Sequence, residues 1–286
     1  MKTAIALLFA LVLMGFSTGV YNAQETISCC STTSATAEFA ALGGDVMFVS
    51  LHKAPAPFTG KLENGKMISF ATSDGKDGQA YFVRSPKKTN KVLLVFQEWW
   101  GLNDYIKQKA EELQKELGNV NAYALDLYDG KVASEPNEAA KIMMAAKEER
   151  IRAIIEGAIE HVGPKAKIAT IGWCFGGGWS LQASLMAGKQ AIGCVMFYGM
   201  PEKNVEKLKT LHADVLGLFA LQDKNITPAV VDTFQQNMKA AGKHLEVKSY
   251  DAVHAFANPS NPKFDKEAAA DANARALAFL KKHLGV

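Results

Sequence analysis

The chain has 286 residues, 48% of them hydrophobic and 21% charged, a composition that can bury a full core and excludes a disordered chain. Its 32 basic and 29 acidic residues leave a formal net charge of +3 without a long basic run, which excludes the electrostatic footprint of nucleic-acid or acidic-membrane binding and leaves a small molecule as the expected partner. Four cysteines are too few to form a disulfide scaffold in a chain this long.

Residues 1–23 read as a secretory signal peptide: Lys2 precedes an apolar run from Ala4 to Phe16, small and polar residues follow, and cleavage is expected near Ala23, although Tyr21 fits poorly two positions earlier. The run is short for a membrane span and no later segment is long enough to make one, so the mature chain is expected to be soluble, in the periplasm or secreted. Cys29 and Cys30 stand together in a polar stretch. Lipid attachment at either is the minor alternative, because "TIS" before Cys29 lacks the usual leucine; a bridge or exposed thiols are equally open. Residues 24–64 lack clear periodicity, contain "KAPAPF", and read as an export linker followed by an N-terminal extension laid on the domain.

From Met67 the pattern changes, and residues 65–286 read as one domain without internal repeats. "MISFAT" and "QAYFVRS", separated by "SDGKDG", predict two strands joined by a turn. Short apolar runs then alternate with helix-like stretches. The runs cover 91–97, 120–125, 167–172, 191–199, 214–221 and 244–251; the helical stretches include 103–117, one long stretch over 137–162, 175–187, 202–211, 227–242 and a last one ending at Leu284. Continuous apolar runs suit strands buried on both faces, and their alternation with helices implies parallel crossovers. The expected class is α/β, with a mostly parallel central sheet and helices on both faces.

Cys174 falls at the junction of a strand and a helix in "IGWCFGGGWS". Gly172 and Gly176 flank it at the spacing of a nucleophile elbow, a turn too tight for side chains at those positions. The helix behind it directs free N–H groups and its positive dipole end at the sulfur, which favours thiolate, and Phe175 can offer its backbone N–H to an oxyanion. A cysteine buried beside a glycine-rich turn has the same short pattern, so partners must decide. In an open α/β sheet they lie at the carboxyl ends of later strands. Asp223 follows the run "DVLGLFAL" and His254 follows "LEVKSYD", in the order Cys, Asp, His. Asp223 could instead cap the helix starting near Thr227. The other histidines fit less well: His52 lies in the extension, His161 and His283 on helix ends, His212 before a strand and His244 at a strand start. Neither H-E-x-x-H, C-x-x-C nor clustered acidic ligands occur, so no metal or other cofactor is expected. Glu98, in "FQEWWGLND", ends the first long strand, with Trp99 able to supply a second oxyanion N–H and Asn103 capping the next helix. Trp99, Trp100, Trp173 and Trp179 gather around this region and are candidates for an aromatic pocket, although core packing is the commoner use of tryptophan.

With these elements placed, the chain resembles the dienelactone hydrolase family, a cysteine-bearing branch of the α/β hydrolases, over about Met67 to Leu284. The resemblance rests on "QEWWGLN", "ALDLYDG", "IGWCFGGG", "LQDKNITP" and "DAVHAFANP" in family order. It implies a triad of Cys174, His254 and Asp223, with Glu98 contacting the resting thiol, and hydrolysis of enol-lactone esters through an acyl-enzyme. Well-known members hold the substrate carboxylate with arginines, one just after the histidine. Here Asn258 stands there, and the helix after "DLYDG" offers Lys141 but no arginine before Arg150. The expected activity is therefore an exported hydrolase of a small ester or lactone more broadly. A non-catalytic ligand-binding protein on the same fold is the alternative, and thiol redox chemistry between Cys174 and Cys194 a third, weakened because Cys194 sits in an apolar run like a core residue.

Overall fold

A computed structural model of the chain describes residues 33–286; the segment expected to be a signal peptide and the Cys29 and Cys30 pair lie outside the described residues. Two short helices, α1 (Ala35–Ala41) and α2 (Val46–Ser50), come first. They are followed by β1 (Gly65–Phe70), β2 (Gly78–Val83), β3 (Lys91–Phe96), α3 (Asp104–Leu117) and β4 (Asn121–Leu125). Helices α4 (Pro136–Ala145) and α5 (Glu148–Val162), strand β5 (Lys167–Trp173), α6 (Phe175–Ala187) and β6 (Ala191–Phe197) form the middle of the chain. It ends with α7 (Val205–Lys209), β7 (Asp214–Ala220), α8 (Pro228–Ala240), β8 (Leu245–Tyr250) and α9 (Lys266–Leu284).

The eight strands form one sheet in the order β1-β2-β4-β3-β5-β6-β7-β8. The β1–β2 hairpin is antiparallel and joins β4 antiparallel, whereas all pairings from β4 to β8 are parallel. Central strands such as β3 are buried almost throughout, which is why they read as unbroken apolar runs. Successive residues of a strand face opposite sides of the sheet. On β6, Gly193 faces Phe279 and His283 of α9, while Cys194 faces Ser180 of α6. Helices thus cover both faces, as expected. Among the described residues no helix is long and apolar enough to cross a membrane.

Two local features differ from the sequence reading. The stretch 137–162 is not one helix: Ala146 leaves helical geometry at ψ 116°, and the chain restarts at Glu148. A single helix of that length would run about 39 Å at 1.5 Å per residue. The break lets α4 pack against the turn after α1, where Gly43 meets Met144, and lets α5 pack against the end of β1, where Gly157 meets Phe70 and Ala71. The described part of the extension is also ordered into α1 and α2. Ser34 caps α1 through the Ala37 N–H and hydrogen-bonds Glu148 at the start of α5, while Glu38 pairs with Lys203. Farther along, the Glu111 carboxylate accepts the backbone N–H groups of Glu63, Asn64 and Gly65, so the extension is tied down at both ends.

The order of strands explains where chemistry can occur. From β3 the chain steps outward to β4, then returns to the other side of β3 to form β5. That reversal opens a crevice at the carboxyl ends of β3 and β5, the topological switch point of open α/β sheets. Glu98 and Cys174 are the residues that emerge there.

Candidate active site

Cys174 is the whole turn between β5 and α6, held at φ 57° and ψ −120°. A Cβ on Gly172 would lie 2.0 Å from the Gly176 carbonyl oxygen, and one on Gly176 would lie 2.3 Å from the Gln97 carbonyl oxygen. Both contacts are closer than any real side chain tolerates, so the two glycines let the turn press against the end of β3. The Phe175 N–H is close enough to the Cys174 sulfur to favour its thiolate form slightly. Trp99 follows Glu98 and is fully buried.

The loops after β7 and β8 bring the two remaining polar partners together. His254 Nε2 lies 3.4 Å from Cys174 Sγ, and its Nδ1 lies 2.6 Å from Asp223 Oδ2. The other oxygen of Asp223 accepts the N–H groups of Asn225 at 2.9 Å and Ile226 at 3.0 Å, fixing the carboxylate. Asp223 does not cap α8; Thr227 does, through the Val230 N–H. The His254 loop is pinned by Asn261, whose Nδ2 donates to the carbonyls of His254 and Ala255.

Glu98 is buried beside this group but does not hydrogen-bond the thiol. Asn258 Nδ2 donates to Glu98 Oε2 at 2.6 Å, so the residue standing where an arginine was sought holds the carboxyl aside, and the thiol faces His254 instead. The buried Tyr198 hydroxyl lies near the same carboxyl without a well-formed hydrogen bond. Arg150 is unavailable to a ligand: it is spent on Asp74, Asp129 and the carbonyls of Lys76 and Asp77, stapling the β1–β2 turn to the loop after β4. Cys174 and Cys194 are both free, and Cys194 is fully buried on β6.

The extension changes the site most. Cys174, placed by its sequence at an elbow on the rim of the sheet, is only 1% exposed. Phe39 from α1 and Phe48 from α2 pack with ring centroids 6.2 Å and 5.9 Å from His254, and His52 follows at 5.7 Å. His52 was set aside as a residue of the extension, yet a ring nitrogen of His52, Cys174 Sγ and a ring nitrogen of His254 all lie within 4.8 Å of one another. Nothing in the spacing of "SLHKAPAPF" signals this, because the approach is made by folding the extension back over the sheet rim.

Burial dominates the electrostatics. It pushes the Cys174 thiol up, with His254 and the Phe175 N–H offsetting only part, so the low thiol pKa expected at an elbow is not present in this covered arrangement. Burial is the largest influence on His254 and opposes its charge, but the Asp223 carboxylate and the Cys174 sulfur in its thiolate form together outweigh it and lift the imidazole well above its usual range. Asp223 is itself lowered despite its burial, by His254 and by its two backbone N–H donors. Desolvation raises Glu98 to about 7, and lowers His52, with help from His254, to about 4.

A cavity of about 220 Å³ opens beside the group, lined by Glu98, Trp100, Tyr105, Trp173, Tyr198 and Asn258 among others, without arginine. Two of the four tryptophans, Trp100 and Trp173, therefore reach it. Trp99 packs on His52 and Trp179 on Phe175, both in the core.

Several known proteins are similar to this chain. A relative from Saccharolobus solfataricus, named as a candidate carboxymethylenebutenolidase, is 28% identical over 254 residues, covering 74% of this chain and 97% of its own. The carboxymethylenebutenolidase of Pseudomonas sp. (strain P51) is 28% identical over 205 residues, covering 67% of this chain and 84% of its own. The solved structure of a dienelactone hydrolase-like promiscuous phosphotriesterase from metagenomic libraries superposes with a TM-score of 0.66 at 21% identity, over 77% of this chain and 99% of that one, and so shares the fold. The family model described as "Dienelactone hydrolase family" matches residues 79–284, which run from β2 through α9 and contain Glu98, Cys174, Asp223 and His254. The chain belongs to the dienelactone hydrolase family.

Proposed function

We propose that the protein is an exported cysteine hydrolase that cleaves a small, uncharged carboxylic ester or lactone through an acyl-enzyme. The observation that carries this reading is the continuous line from Cys174 Sγ to His254 Nε2 at 3.4 Å and from His254 Nδ1 to Asp223 at 2.6 Å, set on a strained elbow. The sulfur attacks the substrate carbonyl while its proton passes to His254, the step that needs a base within reach. The N–H groups of Phe175 and Trp99 hold the oxyanion. His254 then gives its proton to the departing alcohol, the thioester forms, and a water deprotonated by His254 releases the acid and restores the thiol. Asp223 keeps the imidazole in the tautomer this requires and stabilises its charge.

The cavity argues for the substrate class. Its aromatic walls, together with a lining lysine, Lys109, that is already paired with Glu112, favour an apolar acyl or alcohol group over a carboxylate. The covered thiol, 1% exposed, favours the second reading, a ligand-binding protein whose chemistry is shut off. The two separate cleanly. Mixed with an activated ester of a small neutral acid and quenched early, the purified protein is expected to carry one acyl group on the peptide containing Cys174, and to turn over neutral esters faster than carboxylated ones. Saturable binding with neither adduct nor turnover would leave only the second reading.

Export rests on Lys2 and the apolar run from Ala4 to Phe16. Expressed as the full chain in a Gram-negative host, the protein is expected in the periplasmic fraction with its N-terminus close after Ala23. A cytoplasmic product still beginning at Met1 would remove the export part of the reading.

A further inference from the structure

We propose that His52 Nε2, Cys174 Sγ and His254 Nε2 form a binding site for one borderline-soft divalent transition-metal ion of the Zn²⁺ or Co²⁺ type. A ring nitrogen of each histidine and the Cys174 sulfur lie within 4.8 Å of one another, and the separation from the sulfur to His254 Nε2 is 3.4 Å. A tetrahedral ion with a metal–sulfur bond of about 2.3 Å and metal–nitrogen bonds of about 2.0 Å holds its sulfur and nitrogen ligands about 3.5 Å apart. One edge of that tetrahedron is thus already in place, and the second imidazole needs a shift of about 1.5 Å at most to complete the face.

The orientation of both rings supports the same reading. The Phe48 carbonyl can only accept, so the His52 Nδ1 facing it at 2.8 Å carries the proton, and Nε2 presents a lone pair. That Nε2 is buried without a hydrogen-bond partner, boxed by the rings of Phe48 and Trp99 at centroid distances of 4.5 Å each from the imidazole. His254 is held the same way, its Nδ1 on Asp223. Imidazoles fixed through one nitrogen by a carbonyl or carboxylate, with the other nitrogen free toward a common point, are the supporting shell that metal-binding histidines use. One thiolate and two imidazoles select Zn²⁺, Co²⁺ or copper over Mg²⁺ and Ca²⁺, which demand oxygen.

Binding forms one metal–sulfur and two metal–nitrogen bonds and releases to solvent the protons held on Cys174 Sγ and His254 Nε2; no redox change is involved. A fourth position stays open. Because His52 belongs to the extension and the other two ligands to the sheet rim, the ion would fasten one to the other. It would also occupy the lone pairs of the sulfur and of the imidazole, silencing the hydrolase proposed above; the binding itself does not depend on that hydrolase reading.

The test uses the reduced, chelator-treated full chain titrated with Co²⁺ and then Zn²⁺. The expected result is one Co²⁺ per chain, with a thiolate-to-cobalt charge-transfer band and strong tetrahedral ligand-field bands that Zn²⁺ abolishes by displacement. Cys174→Ala should remove the charge-transfer band. His52→Gln, which keeps the size of the side chain, should weaken binding at least tenfold while circular dichroism shows the same fold. A cobalt spectrum without the charge-transfer band would overturn the proposal. So would equal affinity in His52→Gln and the parent, or binding that survives both substitutions, which would place the ion at surface groups such as Asp214 with His244 and His283.

Discussion

Cys174→Ala is expected to lower kcat on an activated neutral ester by about 10⁴-fold or more, the scale on which loss of a nucleophile acts when its partners cannot substitute for it. The helix behind the elbow offers no replacement: the hydroxyl groups of α6, those of Ser180 and Ser184, are buried on the sheet side and engaged with Thr170. Activity retained in the variant would sink the assignment. The same position gives an independent readout in stability. A residue other than glycine at φ 57° and ψ −120° carries backbone strain of about 1–3 kcal/mol. Alanine keeps that strain, so Cys174→Ala should melt close to the parent. Glycine relieves it, so Cys174→Gly is expected to be inactive yet more stable by about 1 kcal/mol, read from thermal or denaturant unfolding. Such a trade marks a turn shaped for chemistry at the expense of the fold.

Asp223→Asn is expected to cost about 10⁴-fold in kcat while leaving the loop intact, by analogy with the effect of the same change in other histidine–carboxylate pairs. The Asn side-chain oxygen can still accept from Asn225 and Ile226, so the turn survives. The amide then faces His254 Nδ1 with a donor, forcing that nitrogen to accept and leaving the proton on Nε2, where it cannot take one from the thiol. The substitution also has a pH signature. In the parent, Asp223 is lowered and His254 raised relative to their unfolded values of about 3.9 and 6.5. The raised imidazole stabilises the fold fully below about pH 6.5 and loses this as pH climbs through its folded pKa. The lowered carboxylate stabilises fully above about pH 4 and loses this as pH falls through its folded pKa. The stability gap between parent and Asp223→Asn should therefore be widest between about pH 4 and 6.5 and narrow on either side. A gap independent of pH would mean that the two groups are not electrostatically paired.

The sheet was legible because each strand from β3 to β7 is buried on both faces, and such strands advertise themselves as apolar runs with their ends marked by turn residues. Glu98, Cys174, Asp223 and His254 were legible for a related reason. A parallel sheet delivers the carboxyl ends of its strands to one rim, so position along the chain translates into position in space. His52 had no such guide. It rides on a segment without periodicity, and its distance to Cys174 is set by how Phe39 and Phe48 seat themselves, which is tertiary packing alone. The Asn258 bond to Glu98 was hidden likewise: the residue could be read as a missing arginine, but not as the donor that turns the carboxyl away from the thiol. The break at Ala146 carries neither glycine nor proline, so helix propensity gave no warning of it.

The seating of Phe39 and Phe48 over the elbow has a kinetic corollary. With Cys174 only 1% exposed and those rings packed against its partner His254, the rate at which a thiol-directed alkylating reagent labels the sulfur is expected to measure how often the site opens and to say little about intrinsic nucleophilicity. Slow, reagent-independent labelling of Cys174 would then be a stopwatch for the breathing of α1 and α2.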